Sequence, residues 1–292
     1  MEDKYIVWHI EGGLGKNVAA TALIGSLKQK YADRKIVVVA SYPEVFLNLP
    51  NVYRVYRVGN TSYFYDDYIR DKDTIVFRHE PYYETSHILK QKHVIANWCK
   101  LMDLEYTFQQ PVINMNHVQQ RNSQHWQREK PILLIQTNGG PLQAESDYSW
   151  TRDIPFALAL EIANKHRETH HIIQVCKPTA QKIPGAEIVD MQLSATDLFS
   201  LLLYSDKRIL IDSSLQHAAA AFKLKSTVFW IGTSPENFGY ALHDNIIAMP
   251  PADHVKRIDS YLFDYSFDGV THECPYFAIT EMFDVENILE HI

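Results

Sequence analysis

The feature that most restricts the fold is the stretch at residues 207–239, which reads as strand, turn, helix and strand. A β-branched apolar run ends at Asp212, two serines follow, and the alanine-rich segment 215–222 has high helix propensity. A second apolar run at 227–231 predicts another buried strand. A helix that joins two buried strands is typical of a parallel sheet, so the stretch predicts an α/β fold.

The turn before this helix is also the strongest candidate for a ligand site. In open α/β sheets, ligands bind at the carboxyl ends of the strands, where helix N-termini present unpaired N–H groups. Ser213 and Ser214 add two hydroxyls there, and His217 follows one turn into the helix. Such a helix start favours a phosphate. A tightly packed strand–helix–strand unit without a ligand is the alternative interpretation.

The alternation of strands and helices extends along the chain in two halves. Predicted strands of the first half lie at 4–10, 35–40, 52–58 and 74–78. Those of the second half lie at 131–136, 171–175, 186–189, 208–211 and 227–231. The longest predicted helix spans 86–102, and the Gln-, Asn- and His-rich stretch 109–129 is interpreted as the connection between the halves. We therefore predict two Rossmann-like domains.

Composition restricts the class of protein. The 292 residues are 46% hydrophobic and 22% charged, as expected for ordered domains with packed cores. No apolar run reaches the length of a membrane span and the N-terminus does not resemble a signal peptide, so we expect a cytoplasmic protein without a transmembrane segment. Three widely spaced cysteines fit free thiols in a reducing compartment. The net charge of −7 argues against a protein that coats nucleic acid.

A glycine-rich turn follows the first predicted strand. Residues 11–16 read Glu-Gly-Gly-Leu-Gly-Lys, but Ile and Asn occupy the positions where a P-loop requires Gly and Ser or Thr. The spacing GxGxxG is also absent. The glycines allow the backbone to approach a ligand closely, and a tight turn without a ligand is the alternative.

The order Asp-Ser-Ser-Leu-Gln-His-Ala-Ala-Ala-Ala at 212–221, followed by a strand and Ile-Gly-Thr-Ser-Pro at 231–235, resembles the donor-site signature of heptosyltransferase-type glycosyltransferases, glycosyltransferase family 9. Ser214 stands where that family usually has glycine. The resemblance implies the GT-B fold, an α/β architecture in which two Rossmann-like domains face a central cleft. The implied units are an acceptor-side domain at 1–116, a nucleotide-sugar-binding domain at 117–278, and a C-terminal helix at 279–292 that is expected to pack back on the first domain.

The resemblance also implies which residues bind the nucleotide-sugar donor. They follow strand ends, precede a helix, or form the start of the alanine-rich helix: Thr137, Asn138, Gly139, Trp150, Arg152, Lys177, Met191, Asp212, Ser213, Ser214, Leu215 and His217. Arg152 would supply the cation that is missing where Tyr148 replaces a phosphate-binding lysine of the family. His217, with the helix dipole, is expected to neutralise the departing nucleoside diphosphate.

In the resembling family, the glycine loop faces the acceptor, and its aspartate is the proposed general base. This chain has Lys16 at that position, and a lysine would have to be strongly desolvated to act as a base near neutral pH. The candidates for the base are therefore Glu11, His79 and Glu80. Lys16 would instead hold an acidic acceptor or the donor pyrophosphate, or lie solvated at the surface. The acceptor-side loop comprises Gly12, Gly13, Gly15 and Lys16.

Together these features predict a metal-independent glycosyltransferase that moves a hexosyl, heptosyl or pentosyl group from a nucleotide-diphosphate sugar to an acceptor hydroxyl. The acceptor is a saccharide or a hydroxymethylated pyrimidine of phage DNA. No cofactor is implied beyond the donor substrate. A nucleotide-sugar epimerase and a non-catalytic nucleotide-sugar-binding protein of the same fold are the alternatives. The donor sugar and base, the stereochemical course and the oligomeric state stay open.

Overall fold

The protein contains two parallel β-sheets, one in each half of the chain. The computed structural model describes residues 3–139, 149–190, 193–250 and 276–292, together with 266–267, 270–271 and 274. Helices connect the parallel strands in both halves. The predicted α/β class and the two Rossmann-like halves are therefore confirmed.

The first half forms a four-stranded sheet in the order β3-β2-β1-β4. Its strands are β1 (Lys4–Ile10), β2 (Lys35–Ala40), β3 (Val52–Arg57) and β4 (Asp73–Phe77). Its helices are α1 (Leu14–Ala20), α2 (Ile24–Lys30), α3 (Phe64–Tyr68), α4 (Thr85–Ile88) and α5 (Val94–Leu101), with 3-10 turns at Thr21–Leu23, Pro43–Val45 and Pro81–Tyr83. The two strands with nearly continuous apolar sequence, β1 and β2, lie in the middle of the sheet, where both faces are covered.

The second half forms a six-stranded sheet in the order β10-β9-β8-β5-β6-β7. After α6 (His117–Asn122) and a 3-10 turn at Ser123–Trp126, its strands are β5 (Ile132–Gln136), β6 (His171–Cys176), β7 (Glu187–Asp190), β8 (Lys207–Ile211), β9 (Thr227–Trp230) and β10 (Asp244–Ile247). Its helices are α7 (Phe156–His166), α8 (Ala195–Tyr204), α9 (Ser214–Ala221) and α10 (Pro235–Phe238). The strand order changes direction between β5 and β8, and ligands bind at such a point in open α/β sheets.

The chain ends with a short antiparallel pair and two helices: β11 (Ser266–Phe267), β12 (Val270–Thr271), α11 (Ile279–Met282) and α12 (Val285–His291). The last helix packs against α7 of the second half. Met282, Phe283 and Ile288 belong to the same buried apolar cluster as Leu158. This contact corrects the expectation that the C-terminal helix packs back on the first domain, because the tail buries its apolar residues on the second sheet.

The helix predicted at 86–102 is two helices, α4 and α5. The chain turns between them at Lys90, which has a left-handed φ of 54°. Its amine donates a hydrogen bond to the Gly232 carbonyl at 3.3 Å, and the Asn237 amide donates to the His87 carbonyl at 2.7 Å. The break therefore lets α4 attach to the second half, which a single straight helix would not do.

One apolar core continues from the first sheet into the second. Helix α1 packs directly against α9, and both helices present small side chains at this contact. Ala19 and Ala20 of α1 and Ala218 of α9 are completely buried. The two halves are therefore held together by a close helix pair. Over the described ranges, we find no helix with both the length and the apolar character to cross a bilayer.

Candidate functional site

The starts of α1 and α9 meet at the contact between the two halves. Helix α1 begins after Gly13, and α9 begins after Ser213. A Cβ atom placed on Gly15 would lie 2.8 Å from Cδ2 of His217 and 3.3 Å from the Cα of Ser214. Only glycine fits at such a separation. The predicted acceptor-side loop and the predicted donor-side turn therefore lie against each other, with Gly15 providing room opposite Ser214.

Replacing Gly15 by alanine should force the two helices apart. We expect a loss of about 1–3 kcal/mol in the free energy of unfolding, measured by urea denaturation, because part of the contact is backbone that cannot rotate away. The matched control is Gly25→Ala in α2, where a Cβ atom would meet nothing within 4 Å. That change should stabilise the protein by about 0.5–1 kcal/mol. Similar stabilities for the two variants would contradict the close contact.

Side chains behind the glycine loop fix its backbone. Gly12 has a φ of 111°, a conformation that favours glycine. The buried Asn17 donates through Nδ2 to the carbonyl oxygens of Gly12 at 3.2 Å and Gly13 at 2.9 Å. The Gly12 N–H donates to the Ser41 hydroxyl at 3.2 Å. A Cβ atom on Gly13 would meet nothing within 4 Å, so this part of the loop faces open space.

Lys16 and Glu80, both predicted site residues, form an ion pair. The Lys16 side chain is only 7% exposed, and its ammonium group contacts Oε2 of Glu80. The same ammonium lies 5.0 Å from the centre of the Tyr82 ring. The other carboxylate oxygen of Glu80 accepts the Tyr82 N–H at 3.3 Å. Lys16 is therefore not a solvated surface lysine, and both Glu80 oxygens already have partners.

Glu11 lies at the solvent-exposed edge of the glycine loop. Its side chain is 51% exposed, and its Oε1 lies 2.9 Å from Arg78 and 3.3 Å from Nδ1 of His9. Burial lowers the pKa of His9 below its ordinary value. His79 is exposed, with its ring 6.0 Å from that of Phe77. Among the three predicted bases, Glu11 and His79 are thus open to solvent near the ends of β1 and β4.

Asp153 holds together two loops of the second half. Its buried carboxylate accepts hydrogen bonds from the Gly139 N–H at 2.9 Å, from the Asn138 amide at 3.0 Å and from the Ser149 N–H at 2.8 Å. Burial raises the pKa of Asp153, and these hydrogen bonds act in the opposite direction. The loop after β5 is therefore fixed to the loop before α7.

The side chains of Thr137 and Asn138 are directed into the protein. The Thr137 hydroxyl donates to Oδ1 of Asn138 at 3.0 Å and accepts from the Gln174 amide at 2.9 Å. Both residues are almost completely buried. A Cβ atom on Gly139 would lie 3.6 Å from Cβ of Ser213. The turn after β5 therefore approaches the turn after β8 through Gly139.

The hydroxyl of Ser213 does not cap α9. It donates to Oε1 of Gln136 at 3.0 Å and accepts from Nε2 of the same side chain at 2.7 Å. Gln136 is buried at the end of β5. By contrast, α6 and α8 are capped by the side chains of Asn116 and Ser194. The first N–H groups of α9 consequently lack a side-chain cap, as an anion-binding helix start requires.

A buried carboxylate and a cation lie beside the start of α9. Nε of Arg152 is 4.0 Å from Oδ2 of Asp212, the residue before Ser213. Burial raises the pKa of Asp212, while Arg152 and the Thr233 hydroxyl oppose this shift. The predicted cation Arg152 is therefore adjacent to the predicted phosphate site.

The remaining donor residues lie around these turns. The Trp150 ring packs against Tyr276 with their centres 6.4 Å apart. Lys177 is buried, and its charge favours the ionised form of Asp153. Met191 lies outside the described residues. Within the part of the chain that the structure describes, no group of three or more His, Cys, Asp or Glu side chains is arranged to hold a metal ion.

His217 is buried in the first turns of α9. Its Nδ1 lies 2.7 Å from the hydroxyl of Tyr240. Burial lowers the pKa of His217 to about 3, and His93 and His243 contribute to the shift. The imidazole is therefore neutral near pH 7. A neutral ring can still donate a hydrogen bond to a diphosphate, and the role of His217 in neutralising the departing diphosphate stays a prediction.

Several residues that shape the site were not predicted from the sequence. The sequence did contain an indication for Gln136: an amide side chain at the end of a continuous apolar strand is expected to be buried and therefore to have a hydrogen-bond partner. Asp153 had a weaker signal as the carboxylate that precedes a helix. No sequence pattern indicated the roles of Asn17 and Tyr240, because their hydrogen-bond partners come close only in the folded protein.

No protein-family model and no curated protein sequence matches the chain. Solved structures do match it in fold. A family 9 glycosyltransferase from Veillonella parvula aligns with a TM-score of 0.62 at 10% identity, covering 84% of this chain and 86% of that one. The E. coli ADP-heptose lipopolysaccharide heptosyltransferase II aligns with a TM-score of 0.59 at 12% identity, covering 84% and 91%.

A third structure is the iron-containing dodecameric glycosyltransferase TibC of enterotoxigenic E. coli, with a TM-score of 0.58 at 13% identity. That alignment covers 83% of this chain and 62% of TibC. All three are glycosyltransferases, and their similarity to this chain is one of fold, since the sequences are only 10–13% identical. The chain thus has the fold of the family 9, heptosyltransferase-type glycosyltransferases, as the resemblance of its motifs implied.

Proposed function

We propose that the protein is a glycosyltransferase that moves a sugar from a nucleotide-diphosphate donor to an acceptor hydroxyl. The observation that carries the proposal is the contact of the uncapped start of α9 with the glycine loop, where Gly15 comes within van der Waals distance of Ser214. A diphosphate at this helix start would lie beside the loop of the opposite half. The fold supports the same function, and one TibC structure contains ADP-D-β-D-heptose.

In this proposal, the donor diphosphate binds to the first N–H groups of α9 and to the Ser214 hydroxyl. The positive end of the helix dipole favours negative charge at this place. Arg152 lies next to it, 4.0 Å from the Asp212 carboxylate, and places a cation beside the helix start. The backbone of Gly139, fixed by Asp153, forms the neighbouring wall. The groups proposed to bind the diphosphate are therefore mainly backbone N–H groups, together with the cation of Arg152.

The proposed reaction forms a bond between an acceptor oxygen and the anomeric carbon of the donor. The bond from that carbon to the phosphate oxygen breaks, and its electron pair leaves with the nucleoside diphosphate. The start of α9 and Arg152 stabilise the charge that develops there, so we assign no metal ion to the step. Glu11, the exposed carboxylate beside the loop, takes the proton of the acceptor hydroxyl.

We propose a saccharide as the acceptor. A nucleic-acid groove would need cations free to contact phosphates. Lys16 is instead buried against Glu80, and Arg78 lies 2.9 Å from Glu11. These pairs neutralise cations at this edge of the first sheet. The free thiols, two of them buried, fit a reducing cytoplasm as the location.

The variant Ser214→Asp tests the proposed phosphate site. A carboxylate in the first turn favours the helix itself but repels a diphosphate bound there. We expect the affinity for the tightest binder among ADP, GDP, UDP and CDP to fall by at least about tenfold, or ~1.4 kcal/mol. Isothermal titration calorimetry measures this change.

The control variant is Asn116→Asp, which adds the same charge at the exposed, capped start of α6. It should leave the nucleotide affinity unchanged. Equal affinities for the wild type, Ser214→Asp and Asn116→Asp would show that the diphosphate does not bind at α9.

A further inference from the structure

A buried hydrogen bond links His217 to Tyr240, a residue outside the proposed diphosphate site. The Tyr240 hydroxyl lies 2.7 Å from Nδ1 of His217, and the two rings are nearly perpendicular with centres 5.5 Å apart. Tyr240 is only 4% exposed and His217 only 5%. Phe238, His93 and His243 surround the pair. The imidazole is thus held in one orientation.

The chemistry of the two groups determines which of them donates. A phenol is a much stronger acid than a neutral imidazole N–H, and imidazole nitrogen is the better acceptor, so O–H···N is the stronger arrangement. Burial raises the pKa of Tyr240 well above its ordinary value, which keeps the hydroxyl protonated. Among the described residues, this hydroxyl has no other hydrogen-bond acceptor within range. The Tyr240 proton therefore points at Nδ1, and the imidazole proton is on Nε2.

The Nε2 edge of His217 faces the contact between the two helix starts. A Cβ atom on Gly15 would lie 3.4 Å from Nε2 and 2.8 Å from the adjacent Cδ2. Ser214, one turn earlier on α9, lies at the same contact. An N–H group on this edge is therefore directed toward the place where the proposed diphosphate meets the glycine loop.

We propose that Tyr240 is a positioning residue that holds His217 in its Nε2–H tautomer, so that the neutral imidazole donates a hydrogen bond to the diphosphate of the donor. This inference rests on the proposed function. A neutral hydrogen-bond donor suits this position because it stabilises the negative charge on the leaving phosphate oxygen without changing its own protonation state. The tautomer is held before the donor binds.

The tautomer can be measured without any ligand. Long-range ¹H–¹⁵N correlation spectra of the imidazole groups distinguish Nε2–H from Nδ1–H, and the His217→Gln variant identifies the resonances of His217 among the 14 histidines. We expect the Nε2–H pattern in the wild type and a shift toward a mixture in Tyr240→Phe. An Nδ1–H pattern in the wild type, or an unchanged pattern in Tyr240→Phe, would overturn the proposal.

Nucleotide affinity provides the second measurement. Tyr240→Phe should weaken binding of the tightest nucleoside diphosphate about three- to tenfold, which is ~0.7–1.4 kcal/mol. The matched control is Tyr68→Phe, which removes another buried hydroxyl, bonded to Tyr56 at 3.0 Å on the far face of the first sheet. This control should bind like the wild type. Equal affinity for Tyr240→Phe and the wild type would overturn the positioning role.

The two measurements separate this inference from the proposed function. If the wild-type protein binds none of the nucleoside diphosphates, the proposed function is contradicted, and so is the role of His217 as a hydrogen-bond donor to the diphosphate. The tautomer spectrum would then still test whether Tyr240 holds His217 in the Nε2–H form. Nucleotide binding that is lost in Ser214→Asp but unaffected in Tyr240→Phe would leave the function standing and reject the role of Tyr240.

Discussion

Replacing Asp153 by alanine should lower the free energy of unfolding by about 3–5 kcal/mol, because three hydrogen bonds to this buried carboxylate would be lost at once. The Gly139 and Ser149 N–H groups and the Asn138 amide all bond to this carboxylate. Urea denaturation at pH 7 measures the loss. Since a Cβ atom on Gly139 would lie 3.6 Å from Cβ of Ser213, nucleotide affinity should fall in the same variant.

Two further variants make the test specific. Asp153→Asn keeps the shape and one acceptor oxygen, so its loss of stability should lie between those of the wild type and Asp153→Ala. Asp66→Ala removes a carboxylate whose ion pair with Arg70 is solvent-exposed. The midpoint of the urea unfolding curve of this variant should hardly differ from that of the wild type. A midpoint for Asp153→Ala as high as that of Asp66→Ala would mean that Asp153 does not hold the two loops together.

The free energy of unfolding should fall steeply when the pH decreases from 7 to 5. Burial lowers the pKa of His87 to about 4 and that of His217 to about 3, below the ordinary value of 6.5. Between those values and 6.5, the unfolded chain binds more protons than the folded one. The stabilisation is complete above pH 6.5 and is lost as the pH falls. Each histidine should remove about 2 kcal/mol at pH 5.

Buried carboxylates change the stability in the opposite direction. The raised pKa values of Asp153 and Asp212 mean that the folded protein holds their protons more tightly than the unfolded chain does. Their contribution to stability therefore increases as the pH falls through the raised folded-state pKa. They therefore reduce the loss of stability that the histidines cause at acid pH.

The matched variants are His217→Gln and His125→Gln. The first removes one of four imidazoles whose pKa burial lowers to about 4 or about 3, in His87, His93, His166 and His217, and should reduce the loss between pH 7 and pH 5 by about a quarter. The second removes an exposed imidazole and should leave the loss unchanged. Urea unfolding curves at both pH values provide the comparison. A stability that is constant from pH 7 to pH 5 in the wild type would contradict the neutral burial of these histidines.

Much of the fold follows from the sequence, because buried parallel strands are continuous apolar runs. The predicted strands at 4–10 and 35–40 coincide with β1 and β2, and the alanine-rich segment 215–222 largely coincides with α9. The errors arise where tertiary contacts override local propensity. The break between α4 and α5 depends on hydrogen bonds from Lys90 and Asn237 across the two halves, which no local pattern reveals.

The candidate site was predictable only in part. Its strand-end turns follow from the topology of parallel sheets, which places the turns after neighbouring strands at one edge. The hydrogen-bond and ion-pair partners of the individual side chains could not be predicted. Lys16 and Glu80 are 64 positions apart and His217 and Tyr240 are 23 apart. The neutral state of His217 follows from its burial, which a helical position alone does not establish.

A crystal structure of the protein with its tightest-binding nucleoside diphosphate tests most directly whether the start of α9 is the donor site. We expect β-phosphate oxygens within about 3 Å of the Ser214 and Leu215 N–H groups and of Nε2 of His217, with the glycine loop on the opposite side. A diphosphate bound elsewhere, with none of its oxygens near the first N–H groups of α9, would contradict the proposed function.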